Sequence, residues 1–198
     1  LWQAVYNGPA NDGDYGTAIA VDNTGNVYVT GRSFGNGTGT DFATIKYDAS
    51  GNVVAGWPNV YSGSFSTIFD QAQAIKVDGS GNVYVTGKSG AGGGSEDFLT
   101  LKINTNGTVA WAKKFNGTMN ADDNPVALVL DNTAANVYVA GHTSKTGGFQ
   151  DYMTIRYSTA TGDSNAAASY NGPNSTIDLI TSMDIDNSNN IYVTGYSL

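Results

Sequence analysis

The sequence predicts an all-β protein built from a repeated unit of four short antiparallel strands, and three observations carry this prediction. A motif with the pattern Gly-Asn-Val-Tyr-Val-Thr-Gly in its clearest copies ends at Gly31, Gly87, Gly141 and Gly195, which sets a repeat of about 54 residues. No segment shows a sustained apolar period near 3.6 residues, so almost no helix is expected. Apolar residues make up 40% of the chain and charged residues only 13%, which argues against disorder.

Each repeat predicts four strands in order along the chain. The first is a short apolar segment such as residues 18–21, and a tight Asp-x-x-Gly-Asn turn joins it to the second strand, which is the Val-Tyr-Val motif. Asp hydrogen-bonds its own backbone in such turns, and Gly supplies a positive φ. The third strand starts at Asp41, and the fourth carries Trp and Tyr or Phe. The predicted units are residues 1–16 (partial), 17–71, 72–125, 126–180 and 181–198 (partial).

Tandem units of four short strands predict a β-propeller with four-stranded blades. Both faces of a blade carry apolar side chains, so each blade must cover its neighbour. Residues 2–6 predict a fourth strand and residues 191–194 a second strand, so the last unit has no third strand in this sequence. We therefore expect part of a larger ring or assembly, with exposed apolar groups at Ile191, Val193 and the Trp2 strand covered by self-association or by further blades of the same protein.

The repeat resembles a known family. The pattern D-x-x-G-N-V-Y-V-T-G-x-S, followed by D-F-x-T-x-K-Y and W-x-x-x-Y, is similar to the SBBP-type bacterial β-propeller repeat along essentially the whole chain. The resemblance implies a multi-repeat surface or secreted protein of bacteria or archaea, in a family mostly without known activity.

Charge and composition exclude several classes of function. The net charge of −8 disfavours a nucleic-acid partner, and no apolar run approaches the roughly 20 residues that span a bilayer. The chain has no cysteine, which excludes disulfides, a thiolate nucleophile and a Cys-based zinc site. His142 is the single histidine, so a His-based zinc site is excluded. The other units have Arg32, Lys88 and Tyr196 at the same position, and because the residue type varies there we expect His142 to face solvent. Few lysines and many Gly, Asn, Ser and Thr residues favour a secreted or cell-surface location.

Two sets of recurring aspartates are candidate sites. The first set lies in the turn between the first two strands, where we expect a structural role, with calcium as the alternative ligand: Asp22, Asp78, Asp131 and Asp186. The second set precedes the innermost strand and would surround one mouth of a propeller channel: Asp14, Asp70, Asp123 and Asp178. These carboxylates either cap backbone N–H groups or form a site for a cation or other ligand.

A third recurring set lies in the third strand and predicts a polar network within or between blades, because a buried carboxylate needs hydrogen bonds or a cation. Its members are Asp41, Asp97, Asp151, Thr44, Thr100 and Thr154, followed by Lys46, Lys102 and Arg156. Trp2, Trp57 and Trp111 keep a fixed position in the repeat, which favours packing between blades over sugar stacking.

These features favour a non-enzymatic propeller that acts as a scaffold, an adhesion module or a ligand-binding module, with a protein or glycan partner and no cofactor other than calcium. One alternative is a propeller enzyme, a lyase or glycosidase, that uses acidic residues at one channel mouth. Another alternative is a structural subunit of an extracellular assembly. The polar positions recur unit after unit, whereas an enzyme needs one asymmetric constellation, and this difference favours the non-enzymatic hypothesis.

Overall fold

A computed structural model describes residues 1–63, 69–90, 94–173 and 176–198, and all its regular structure is β-sheet. Within these ranges, three antiparallel sheets have four strands each, hydrogen-bonded in chain order, and a fourth sheet has two strands. The first sheet contains β1 (Asp14–Val21), β2 (Val27–Gly35), β3 (Gly39–Tyr47) and β4 (Asn59–Tyr61), and the second contains β5 (Asp70–Val77), β6 (Val83–Gly90), β7 (Glu96–Ile103) and β8 (Val109–Phe115). The third contains β9 (Asp123–Leu130), β10 (Asn136–Ser144), β11 (Gln150–Ser158) and β12 (Ser164–Tyr170), and the fourth contains β13 (Asp178–Ile185) and β14 (Ile191–Ser197).

The first strands of successive sheets, β1, β5, β9 and β13, lie next to one another. The four sheets therefore fan out from this inner row of strands, as propeller blades do. The prediction of all-β structure with four-stranded antiparallel sheets is confirmed. The fourth sheet packs against the third and not against the first, so the described residues form an open arc rather than a closed ring.

Every sheet has two faces, because side chains alternate along a strand. We call one the tyrosine face, after Tyr28, Tyr84, Tyr138 and Tyr192, and the other the valine face, after Val29, Val85, Val139 and Val193. The tyrosine face of the first sheet packs on the valine face of the second, burying Tyr28 and Phe42 against Val85 and Leu101. The same contact follows between the second and third sheets and between the third and fourth.

The predicted strand at residues 2–6 does not form. A fourth strand pairs with the third strand of its own unit, and residues 2–6 pair with no strand among the described residues. Trp2 instead packs on Tyr47, with ring centroids 5.7 Å apart. Ile191 is partly buried against the third sheet, whereas Val193 and Trp2 are exposed as expected.

Candidate functional site

The channel-mouth aspartates begin the inner strands β1, β5, β9 and β13. Asp70, Asp123 and Asp178 are at most 1% exposed, while Asp14 is half-buried. Each carboxylate accepts a hydrogen bond from a glycine amide at the end of the preceding unit. The four bonds join Gly8 to Asp14 (2.8 Å), Gly63 to Asp70 (2.7 Å), Gly117 to Asp123 (2.5 Å) and Gly172 to Asp178 (2.6 Å).

A second amide completes two of these sites. Gly90 donates to Asp70 at 3.1 Å, and Ser144 donates to Asp123 at 3.1 Å. Burial raises the pKa of Asp70 above its usual range, although hydrogen bonds from the amides of Gly63 and Gly90 oppose the increase. These contacts are those of backbone caps, because the carboxylates bond to amides within the protein.

Serine or threonine lies between two aspartates in each complete sheet. The three residues pair in register across the first three strands of the sheet. They are Asp14, Ser33 and Asp41 in the first sheet, Asp70, Ser89 and Asp97 in the second, and Asp123, Thr143 and Asp151 in the third. Asp41, Asp97 and Asp151 are all buried. Burial raises the pKa of Asp97; Lys114 opposes this shift, and the nearby Asp123 and Asp122 add to it.

The predicted polar network of the third strand is divided between two faces. Asp41 and Thr44 are three residues apart and so point to opposite sides of the sheet. On the tyrosine face the hydroxyl groups of Thr30 and Thr44 lie 2.9 Å apart, and the second sheet repeats this pair with Thr86 and Thr100 at 3.2 Å. Thr154 has no such pair, because Ala140 stands opposite it.

The basic residues of the same strand also lie on the tyrosine face. Lys46 lies 5.1 Å from the ring centroid of Tyr28, and Lys102 donates a 2.9 Å hydrogen bond to the carbonyl of Thr159 in the next sheet. Arg156 bonds to Asn165 within its own sheet. The aspartates on the valine face and these groups on the tyrosine face are therefore two separate sets of polar residues in the part of the chain that the structure describes.

The turn aspartates organise the connection between the first two strands of each sheet. The Asp22 carboxylate accepts hydrogen bonds from the amides of Thr24 (2.9 Å) and Asn26 (3.0 Å) and from the Tyr28 hydroxyl (3.0 Å). Burial alone would raise the pKa of Asp22, but hydrogen bonds from Asn26 and Thr24 outweigh it and hold the pKa well below the usual range. Asp78, Asp131 and Asp186 make corresponding bonds to turn amides.

The tryptophan that recurs at the same position of the repeat makes a contact between sheets. Trp57 and Trp111 are buried, and their indole N–H groups donate to the carbonyls of Thr105 (3.4 Å) and Thr159 (3.1 Å), which lie in the turn after the third strand of the following unit. These contacts agree with packing between blades. Trp2 is more exposed than either of them.

His142 is buried, so its predicted exposure to solvent was wrong. Its Nε2 lies 3.2 Å from the Asn124 side-chain amide. The imidazole is short enough to remain covered, whereas Arg32 and Lys88 at the same position are partly exposed. Burial lowers the pKa of His142 to about 4, and the charge of Lys88 acts in the same direction.

The glycines that hold the channel-mouth aspartates were not identified from the sequence. A signal was present, because a Tyr-x-Gly or Phe-x-Gly triplet ends each fourth-strand segment at Gly8, Gly63, Gly117 and Gly172. Over the ranges that the structure describes, no three His, Asp or Glu side chains are grouped so as to hold a metal ion. Within the same ranges no helix is long and apolar enough to cross a membrane.

Comparison with protein families identifies the repeat. Residues 7–42 match the family model SBBP, described as a β-propeller repeat. The matched segment runs from the Gly8–Asp14 contact through β1 and β2 and into β3, and it confirms the resemblance inferred from the motif. No curated protein matches the chain.

Proposed function

We propose that the chain is a non-enzymatic β-propeller module of a secreted or cell-surface prokaryotic protein, where it acts as a scaffold or as an adhesion or ligand-binding platform. The observation that carries this proposal is the use of the recurring polar residues. The channel-mouth carboxylates bind backbone amides, and the turn aspartates bind their own turns. These residues serve the fold in the same way in successive units, which supports a structural rather than a catalytic role.

We further propose that the chain contributes about four repeat units to a larger ring or assembly. The recurrence of one contact between faces in three successive sheet pairs supports this. A protein or glycan partner would then bind the rims or outer edges of the blades, because the broad faces are used for stacking.

The enzyme alternative depends on acidic groups with altered protonation. Burial raises the pKa of Asp70, Asp97 and Asp123, and such shifts are common at catalytic sites. However, all three side chains are at most 4% exposed, and a general acid must reach its substrate. The geometry therefore supports the scaffold over a lyase or glycosidase.

Two measurements test the proposal. Antibody labelling and protease treatment of intact producing cells should reach the protein, or the protein should be found in the medium; retention in the cytoplasm would contradict the location. A panel of glycosidase and polysaccharide-lyase substrates should give no turnover. Turnover that Asp97→Asn abolishes while leaving the folded fraction unchanged would establish the enzyme alternative instead.

A further inference from the structure

Two sheet faces in the described chain have no partner: the valine face of the first sheet and the tyrosine face of the fourth. The first is the surface that receives the preceding sheet elsewhere, and the second is the part of the opposite surface that β13 and β14 supply. Ile19 shows this for the first sheet, because it is 66% exposed, whereas its counterparts Ile75, Leu128 and Met183 are at most 8% exposed. The first sheet therefore has an interface surface without its covering sheet.

The uncovered valine face forms a cleft of about 300 Å³. Its floor includes Ile19, Val29 and Ile45, and Trp2 and Tyr47 form part of its wall. In the second and third sheets the residues equivalent to Val29 and Ile45 contact the tyrosine face of the preceding sheet. The chemistry of this cleft thus matches a tyrosine face of the same repeat.

On the uncovered tyrosine face, Tyr192 already makes the hydrogen bond that its buried counterparts make. Tyr192 is 57% exposed, yet its hydroxyl donates to Asp186 at 3.1 Å. Tyr28 and Tyr84 make the same bond to their turn aspartates, at 3.0 and 3.1 Å, and both are fully buried at interfaces. Because the ring is already held in place, little side-chain entropy remains to be lost on binding.

We propose that the tyrosine face of the fourth sheet docks into the first-sheet cleft of a second copy of this chain, head to tail. Both surfaces belong to the chain, and its internal interfaces join surfaces of the same two kinds. Tyr192 would meet Trp2 of the second copy as Tyr28 meets Trp57, edge to face at 6.0 Å. The Thr181 hydroxyl would donate to the Gly16 carbonyl, as Thr17 donates to Ala72 at 2.6 Å.

Such an interface uses two different surfaces, so it generates either a closed ring of copies or an open filament. This inference rests on the propeller-module proposal but concerns assembly alone. A monomer with an intact β-sheet spectrum would overturn the docking proposal and leave the module proposal unaffected. Enzymatic turnover would overturn the non-enzymatic module proposal and leave the docking proposal unaffected.

The first test is the mass in solution by sedimentation velocity over a hundredfold range of concentration. The wild-type chain should sediment above its 20.6 kDa monomer mass, and Ile19→Glu and Tyr192→Ser should each shift it to the monomer. Met119→Glu is the matched control, because Met119 is an exposed apolar residue outside both faces, and it should leave association unchanged. A wild-type monomer at every concentration, or association that both interface variants retain, would overturn the proposal.

The second test determines how the two copies are oriented. Because the chain has no native cysteine, each introduced cysteine is the only thiol in its chain. One preparation carries Gly16→Cys and another carries Thr181→Cys. Oxidation of the mixture should yield a covalent dimer containing one chain of each kind, at least tenfold more than either preparation forms alone. Dimers that form equally well in either preparation alone would show a symmetric contact and contradict head-to-tail docking. Circular dichroism of each variant checks that its sheets are intact.

Discussion

The amide of Gly63 donates a 2.7 Å hydrogen bond to the carboxylate of Asp70 across the link between the first and second sheets. Gly63 follows the last strand of one sheet, and Asp70 begins the inner strand of the next. The bond therefore fixes the point where the chain passes from one sheet to its neighbour. Its recurrence at Gly8, Gly117 and Gly172 makes it the common link of the repeat.

Replacing this glycine should weaken the fold. A Cβ at Gly63 would lie 2.5 Å from the Ser89 hydroxyl and 2.8 Å from the Asp70 carboxylate, so Gly63→Ala must displace buried polar groups. We expect a loss of about 2 kcal/mol in the free energy of unfolding, measured by urea denaturation. Gly79→Ala is the control, because nothing lies within 4 Å of its Cβ position, and it should be neutral or slightly stabilising. Equal losses in both variants would contradict the role assigned to the link.

The buried histidine should make stability depend on pH. The pKa of His142 is about 4 in the folded protein and about 6.5 when unfolded, so the unfolded state binds the proton first. Stability should therefore be fully present above pH 6.5 and decline as the pH falls towards 4. His142→Gln should flatten this part of the profile. An NMR titration of the single histidine provides a direct check, and a midpoint near 6.5 would show that the side chain is not buried.

The tryptophans should differ in their contribution to stability. Trp111 is 8% exposed and donates to Thr159, so Trp111→Ala should cost about 3–5 kcal/mol. Trp2 is 39% exposed and lies in a segment without a strand, so Trp2→Ala should cost about 1 kcal/mol. Urea denaturation at a concentration where the chain is monomeric measures both. A larger loss for Trp2 would place the N-terminal segment in a tighter contact than the structure describes.

Calcium should leave the melting temperature unchanged, because the channel-mouth carboxylates already bind backbone amides. The check is a thermal melt with calcium at millimolar concentration against magnesium as the control. A cation that bound the native state would raise the melting temperature by mass action. A calcium-specific rise that Asp123→Asn removes would restore the hypothesis of a cation site.

Much of the fold follows from local sequence. The alternating Val-Tyr-Val motif and the Asp-x-x-Gly-Asn turn specify β2 and the turn before it, because these preferences act within a few neighbouring residues. The predicted first strand was too short, since β1 starts at Asp14 rather than Ala18. Pairing with β2 extends it through a bulge after Gly16, and pairing is not visible in one strand alone.

The contacts between units could not be predicted in the same way. The environment of His142 is set by groups outside its own segment, because its hydrogen-bond partner Asn124 lies on another strand and the charge of Lys88 acts from the preceding sheet. Residues 2–6 have a strand-like pattern, but a strand forms only with a partner. The Asp41 and Thr44 positions were assigned to one network because both are polar and recur, although their spacing already places them on opposite faces.

The central claim is that these residues form an open arc in which the valine face of the first sheet and the tyrosine face of the fourth do not meet within one chain. The most direct measurement uses Ile19→Cys with Tyr192→Cys in a single chain, oxidised at a concentration low enough to keep it monomeric. The positions equivalent to Ile19 and Tyr192, such as Ile75 and Tyr28, belong to one buried cluster where two sheets do meet. We predict that no disulfide forms within the monomer. A rapid and complete intramolecular disulfide would show a closed ring and contradict the open arc.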